Sequence, residues 1–244
     1  ENAGYQQGVD LFVYPYDWRR NANETSANLA SFIDSSVLTG ENENSKVDLI
    51  GHSFGGYIAR SYSQNHPNKV DKLITVGTPH KGALKVYKMW EGADFSDRPF
   101  WQDLLLRFYL NTNAGFFSSK VKAIQTLAPS LLNIWPTFDF LKNKDGSIKP
   151  LSLLSWQNNF LPSLDNGLPD ILGLLSTISG SIASSTPRYI TVENPSPIDN
   201  LFGKWVDGKP IKYEEEAGDK TVLLSSSQVD GANNILIQNN KLYI

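Results

Sequence analysis

Ser53 stands between glycines in Gly51-His52-Ser53-Phe54-Gly55-Gly56, directly after the apolar run Val47-Asp48-Leu49-Ile50. A serine hydroxyl is a weak nucleophile near neutral pH and attacks a carbonyl only with a base beside it and donors for the developing oxyanion. Gly51 to Gly55 fits Gly-x-Ser-x-Gly, in which a tight turn between a strand and a helix lifts the hydroxyl clear of the backbone. The apolar run supplies the strand and Tyr57 to Tyr62 the helix, so Ser53 is the candidate nucleophile. A glycine-rich structural turn is the alternative. The backbone N–H of Phe54, at the start of that helix, is the candidate oxyanion donor. A second donor is expected from a loop before Glu1.

Such a serine takes its base from a histidine held by a carboxylate. The chain has three histidines. His52 lies inside the turn and reads as a structural neighbour. His66, in Asn65-His66-Pro67, reads as a helix-end residue on the side away from the serine. His80, in Gly77-Thr78-Pro79-His80-Lys81-Gly82, follows a strand and so falls near the site; a loop-shaping role is preferred over that of general base. Asp219, in the glycine turn Ala217-Gly218-Asp219-Lys220-Thr221, is the candidate acid, with Asp230 as runner-up. In α/β-hydrolases the order along the chain is serine, acid, histidine. No histidine follows Asp219 here, so the base is expected beyond Ile244.

The elements that would carry these residues read as follows. Val9 to Tyr14 is predicted as a buried strand, Asn23 to Ile33 as a helix, Lys46 to Ile50 as a strand, Phe54 to Asn65 as a helix and Val70 to Val76 as a third strand. That alternation implies a mostly parallel, doubly wound α/β sheet, whose sites lie at the carboxyl ends of its strands. Residues 1–83 are read as the first part of this core. Residues 84–185 change character, with Trp90, Phe100, Trp101, Phe108, Tyr109, Phe116, Phe117, Trp135, Phe138 and Trp156 among leucines and prolines, and are read as a helical insertion. Its aromatics either bury themselves in a second small core or line an acyl-chain pocket, and the two readings are compatible. Residues 186–244 complete the core with a strand at Arg188 to Val192, a hairpin over Lys204 to Glu214 around Asp207-Gly208, a short element at Thr221 to Leu224 and the start of a strand at Lys241. A sheet lacking strands before Glu1 and after Ile244 would expose its edges, so the 244 residues alone are expected to be unstable or to aggregate.

Composition narrows the chemistry. Lys and Arg total 22 against 25 Asp and Glu, a net charge of −3, which offers no basic field for a nucleic acid. There is no cysteine, hence no disulfide, cysteine nucleophile or thiolate metal site. No cofactor or metal is called for. No apolar run reaches the roughly 20 residues of a membrane span.

Taken together, Tyr16-Asp17-Trp18-Arg19, Gly51-His52-Ser53-Phe54-Gly55-Gly56, Thr78-Pro79-His80-Lys81-Gly82 and Gly218-Asp219-Lys220-Thr221-Val222 resemble the lecithin:cholesterol acyltransferase-like lipases and acyltransferases of the α/β-hydrolase fold. The resemblance implies that Ser53 attacks a lipid ester carbonyl, that Asp219 orients the histidine, and that the insertion is a lid or cap with transient lipid-surface contact. Asp17 and Arg19 are expected to be structural, as a buried ion pair or through bonds to nearby loops. Lys220 replaces the family's usual glycine, which puts the shape of that turn in question. The lack of cysteine departs from animal members and points to a prokaryotic source, with a secreted or cell-envelope location slightly favoured. Hydrolysis and transfer to an alcohol share one acyl-enzyme and are not distinguished by the sequence. Two other readings stay open: peptide or thioester hydrolysis by the same triad, and a non-catalytic, hydrolase-like lipid-binding protein without the histidine.

Overall fold

The structure is a computed structural model, and it describes residues 4–40, 44–96 and 119–238. Its backbone alternates as expected around the serine. Strand β1 (Val47–His52) leads into helix α2 (Phe54–Asn65), which is followed by strand β2 (Val70–Val76); helix α1 (Ala22–Phe32) precedes them. Asn21 begins α1 by accepting the Asn23 N–H at 2.9 Å. Phe54, Tyr57, Ile58 and Tyr62 recur at helical spacing and are all buried, so α2 turns one face into the core. Pro67 closes it, because the residue before a proline avoids helical angles, and His66 sits at φ −135°.

β1 and β2 pair in parallel, His52 opposite Val76. β2 pairs in parallel with the first residues of the long strand β5 (Leu175–Glu193), and β5 pairs in parallel with β7 (Asn233–Gln238). The carboxyl ends of β1 and β2 therefore lie side by side. One apolar core, with Leu29, Ile33, Tyr57, Leu73, Leu161 and Leu175, joins α1 and α2 to these strands.

The second half of β5 serves another sheet. It pairs antiparallel with β6 (Lys209–Gly218) and parallel with β3 (Leu141–Lys142), which pairs in turn with β4 (Ile148–Lys149). Trp90, Trp135, Phe140, Leu141, Ile190 and Trp205 form a second core there, with Tyr87 of helix α3 (Lys85–Gly92) at its centre. Phe138 and Trp156 pack against it. Phe100, Trp101, Phe108, Tyr109, Phe116 and Phe117 lie outside the described residues.

Two expectations need correction, and others meet elements with different bounds. Val9 to Tyr14 forms no strand, and Val9 and Val13 are exposed, because among the described residues no strand lies beside the segment to pair with it. The hairpin partner of β6 is β5 rather than residues 204–206; Asp207 and Gly208 only turn the chain into β6. The boundary drawn at residue 185 falls inside β5, and Thr221 to Leu224 leads into a helical turn, Leu224–Ser227. The strand expected at Lys241 lies outside the described residues, whereas β7 just before it was not anticipated. Among the described residues, no helix is long and apolar enough to cross a membrane.

Candidate active site

Ser53 occupies the turn between β1 and α2 at φ 52°, ψ −122°. A side chain in that region costs about 1–2 kcal/mol, and the strain persists only where neighbours over-determine it. They do so here. The Ser53 N–H donates to the Val76 carbonyl at 2.9 Å, while its own carbonyl accepts the Gly56 N–H at 3.0 Å and the Thr78 hydroxyl at 2.9 Å. The glycines are required by contact. A Cβ on Gly51 would lie 2.6 Å from the Gly55 carbonyl oxygen, and one on Gly56 would lie 2.0 Å from Thr78 Oγ1. At Gly55 the nearest atom is the Tyr16 hydroxyl, at 3.3 Å.

Ser53 is half-buried, and no described residue hydrogen-bonds its Oγ. Phe54 opens α2, so its N–H belongs to the first turn, whose donors have no partner in a preceding turn. Its ring is buried against Tyr16 and Tyr57. These tilted and edge-on ring contacts hold the start of the helix.

Asp219 follows β6 in a turn in which its Oδ1 accepts the N–H groups of Thr221 (2.8 Å) and Val222 (2.7 Å). Its Oδ2 lies 3.4 Å from where a Cβ on Gly77 would stand. Gly77 follows the last residue of β2, so this carboxylate and Ser53 stand at the carboxyl ends of neighbouring parallel strands. Lys220 takes a left-handed conformation, at φ 76°, and its N–H donates to Thr186 Oγ1 at 2.9 Å. Asp230 is elsewhere: it is exposed, and it precedes β7, whose first residue pairs with Ser176 at the amino end of β5. That is the opposite end of the strands from Ser53.

The histidines divide as the sequence suggests. His52 is the exposed last residue of β1, and His66 ends α2 with its ring against Tyr62. His80 is 3% exposed. Arg60 Nη1 donates to its Nδ1 at 3.3 Å, which leaves the proton on Nε2 to donate to Thr75 Oγ1 at 3.0 Å. Burial, then the charges of Arg60 and Lys81, push its pKa down to about 3. Both ring nitrogens are engaged, and the ring shapes the loop.

Arg60 was not singled out from the sequence. Fully buried, it also donates to the Leu164 carbonyl at 3.2 Å and to the Asp165 carboxylate at 2.6 Å. An arginine on the apolar face of a helix beside a downstream histidine was the available signal. Tyr16 is a second neighbour of the site that only the structure reveals.

Asp17 and Arg19 pair with each other through Nε to Oδ1 at 2.8 Å and Nη2 to Oδ2 at 2.7 Å. The pair is solvent-facing, not buried, because both side chains leave the same exposed turn. The hydrogen bonds from Arg19 lower the Asp17 pKa to about 2.

Among the described residues, two clefts stand apart from Ser53 and Asp219, which line neither. One of about 370 Å³ is lined by Lys149, Glu193 and Asp207 among others; one of about 300 Å³ is lined by Asn21, Asn133, Asn158 and Phe160.

The sequence profile of lecithin:cholesterol acyltransferase matches residues 1–151, which include the serine turn and the Thr78 to Gly82 loop. The chain belongs to the lecithin:cholesterol acyltransferase family. Among relatives, a 1-acylglycerol-3-phosphate O-acyltransferase of Arabidopsis thaliana is 33% identical over 130 residues, which are 52% of this chain and 29% of that protein. Phospholipase A(1) LCAT3 of the same plant is 32% identical over 85 residues, 33% of this chain and 19% of its own length. A GPI inositol-deacylase of Candida albicans is 28% identical over 87 residues, 33% of this chain and 22% of the enzyme. This family member thus spans less than a third of the length of these relatives. Its fold is that of the α/β-hydrolases. The crystal structure of the Tle4-Tli4 complex is similar at TM-score 0.56 and 13% identity, over 90% of this chain and 60% of that one. Membership places the chain among α/β-hydrolases of lipase, esterase and acyltransferase type.

Proposed function

We propose that Ser53 is the nucleophile of a lipid ester hydrolase or acyltransferase. The observation that carries this is the left-handed Ser53 between β1 and α2, strained, tied at both backbone groups and carrying an Oγ with no hydrogen bond from a described residue. Positive φ favours glycine, so a serine held there carries backbone strain.

In the proposed reaction, Oγ attacks the ester carbonyl as a histidine takes its proton, and the oxygen of the tetrahedral intermediate accepts the Phe54 N–H. Collapse expels the alcohol, protonated by the same histidine, and leaves an acyl-enzyme that water or a second alcohol resolves. Asp219 holds the histidine through Oδ2, which no described residue hydrogen-bonds. None of the three histidines of this chain takes that part. The segment from Leu84 onward serves as a cap over the acyl chain and touches the lipid surface.

In the full-length protein, Ser53→Ala should abolish turnover of a lipid ester while leaving folding and lipid binding in place. Unchanged turnover would remove the nucleophile assignment. The engagement of both His80 nitrogens favours one competing reading, a hydrolase-like lipid binder. That reading requires wild-type protein that binds lipid and turns over no ester.

A further inference from the structure

We propose that Thr78 is a positioning residue that aims the Phe54 N–H at the reacting oxygen. The proposal rests on the reading of Ser53 as nucleophile. Three consecutive residues after β2 are fastened to three positions along one face of α2. The Thr78 hydroxyl donates to the Ser53 carbonyl at 2.9 Å, the Tyr57 hydroxyl donates to the Pro79 carbonyl, and Arg60 Nη1 donates to His80 Nδ1 at 3.3 Å. Positions 53, 57 and 60 are four and three residues apart, the spacing of a single helix face. All three loop residues are buried. At its upstream end the segment is anchored where the Gly77 N–H donates to the Ile178 carbonyl at 2.9 Å.

The first fastening has a chemical consequence. The Ser53 carbonyl and the Phe54 N–H belong to one peptide group, which is planar and trans, so fixing the direction of the carbonyl fixes that of the N–H. The Gly56 N–H restrains this carbonyl from within the helix, at 3.0 Å. Thr78 restrains it from outside, through a hydroxyl that fits only because Gly56 has no Cβ to collide with it. A donor aimed at where charge develops acts on the transition state more than on the bound substrate. Loss of the Thr78 hydroxyl should therefore lower kcat and kcat/KM together and leave KM in place.

The test uses the full-length protein, a soluble p-nitrophenyl ester and titration of active serine with a fluorophosphonate. Thr78→Val keeps the shape and removes the hydroxyl; Thr78→Ser restores the hydroxyl. The expected result is a kcat at least tenfold lower for Thr78→Val per titrated site, an unchanged KM, and a Thr78→Ser variant within about twofold of wild type. A Thr78→Val variant with wild-type kcat overturns the proposal, as does a loss confined to KM. Should Thr78→Val fail to fold, Thr78→Ala, which leaves space in place of a methyl group, is judged by the same criteria. Wild-type protein that is not labelled at Ser53 refutes the nucleophile, and this proposal with it; labelled wild type with an unaffected Thr78→Val refutes only the role of Thr78.

Discussion

Arg60 donates to His80 across 3.3 Å inside the protein, one polar side chain on α2 and the other on the loop after β2, both almost wholly removed from solvent. A guanidinium cannot accept a proton, so it fixes the tautomer of the imidazole and opposes its protonation. His80 is expected to stay neutral, with its proton on Nε2, down to pH of about 3. Because the unfolded chain protonates its histidine near the ordinary 6.5, the unfolded state binds the extra proton first as pH falls. The stability His80 contributes is therefore intact above about pH 6.5 and is lost between there and about pH 3. Histidine ring ¹⁵N shifts across a pH titration check this; a His80 that titrates near 6.5 in the folded protein contradicts it.

The three glycines around Ser53 are not equivalent. Gly56→Ala and Gly51→Ala each force a methyl group into backbone or a short, fixed side chain, so each should cost at least about 2–3 kcal/mol or prevent folding. Gly55→Ala meets only the Tyr16 hydroxyl at 3.3 Å and should cost less than about 1 kcal/mol, since alanine also favours the helix. Denaturant melts of the three variants give the ranking directly.

Lys220 keeps a left-handed backbone beside the candidate acid. Replacing it with glycine removes the Cβ strain but loosens the unfolded chain, two opposing effects of about 1 kcal/mol. Lys220→Gly should be neutral or stabilising by up to about 1 kcal/mol, whereas Lys220→Val should destabilise. Thermal melts of the pair decide it.

Glu91 on α3 is buried beside Asp207, whose N–H its Oε2 accepts at 3.2 Å. Burial, with the neighbouring Asp207 charge, raises its pKa to about 7 from the ordinary 4.5. The folded state thus holds a proton that the unfolded state has released between those values, and stability falls as pH rises through that window. The loss is on the order of 3 kcal/mol. Glu91→Gln, which keeps the acceptor without the charge, should flatten the dependence of unfolding free energy on pH between about 5 and 8; an unchanged slope would place the titrating group elsewhere.

Legibility from sequence followed the agreement of local cues. From Val47 to Val76 a β-branched run, a Gly-Ser-Gly turn, helical spacing and the stop at Pro67 all point one way, and the elements match almost residue for residue. Val9 to Tyr14 has the same β-branched and aromatic composition, yet a strand needs a neighbour as well as a composition, and the segment pairs with none among the described residues. Leu175 to Glu193 posed the reverse difficulty. Its first residues fell inside the stretch read as a helical insertion, although Leu175, Thr177 and Ser179 alternate into the interior of a central strand. The Asp207-Gly208 cue was a true turn with the wrong partner, because Trp205 leaves the chain path to enter the second core against Gly92. The turns that carry Ser53, Phe54 and Asp219 were legible from their glycines. Thr78, Tyr57 and Arg60 were not, because their contacts join residues far apart in the sequence.

The most direct measurement is fluorophosphonate labelling of the full-length protein, followed by peptide mapping of the adduct. The expected result is one stoichiometric adduct on the peptide carrying Ser53, lost in Ser53→Ala and slowed in Asp219→Asn. An adduct on another serine, or ester turnover that persists in Ser53→Ala, would contradict the assignment of Ser53 as nucleophile.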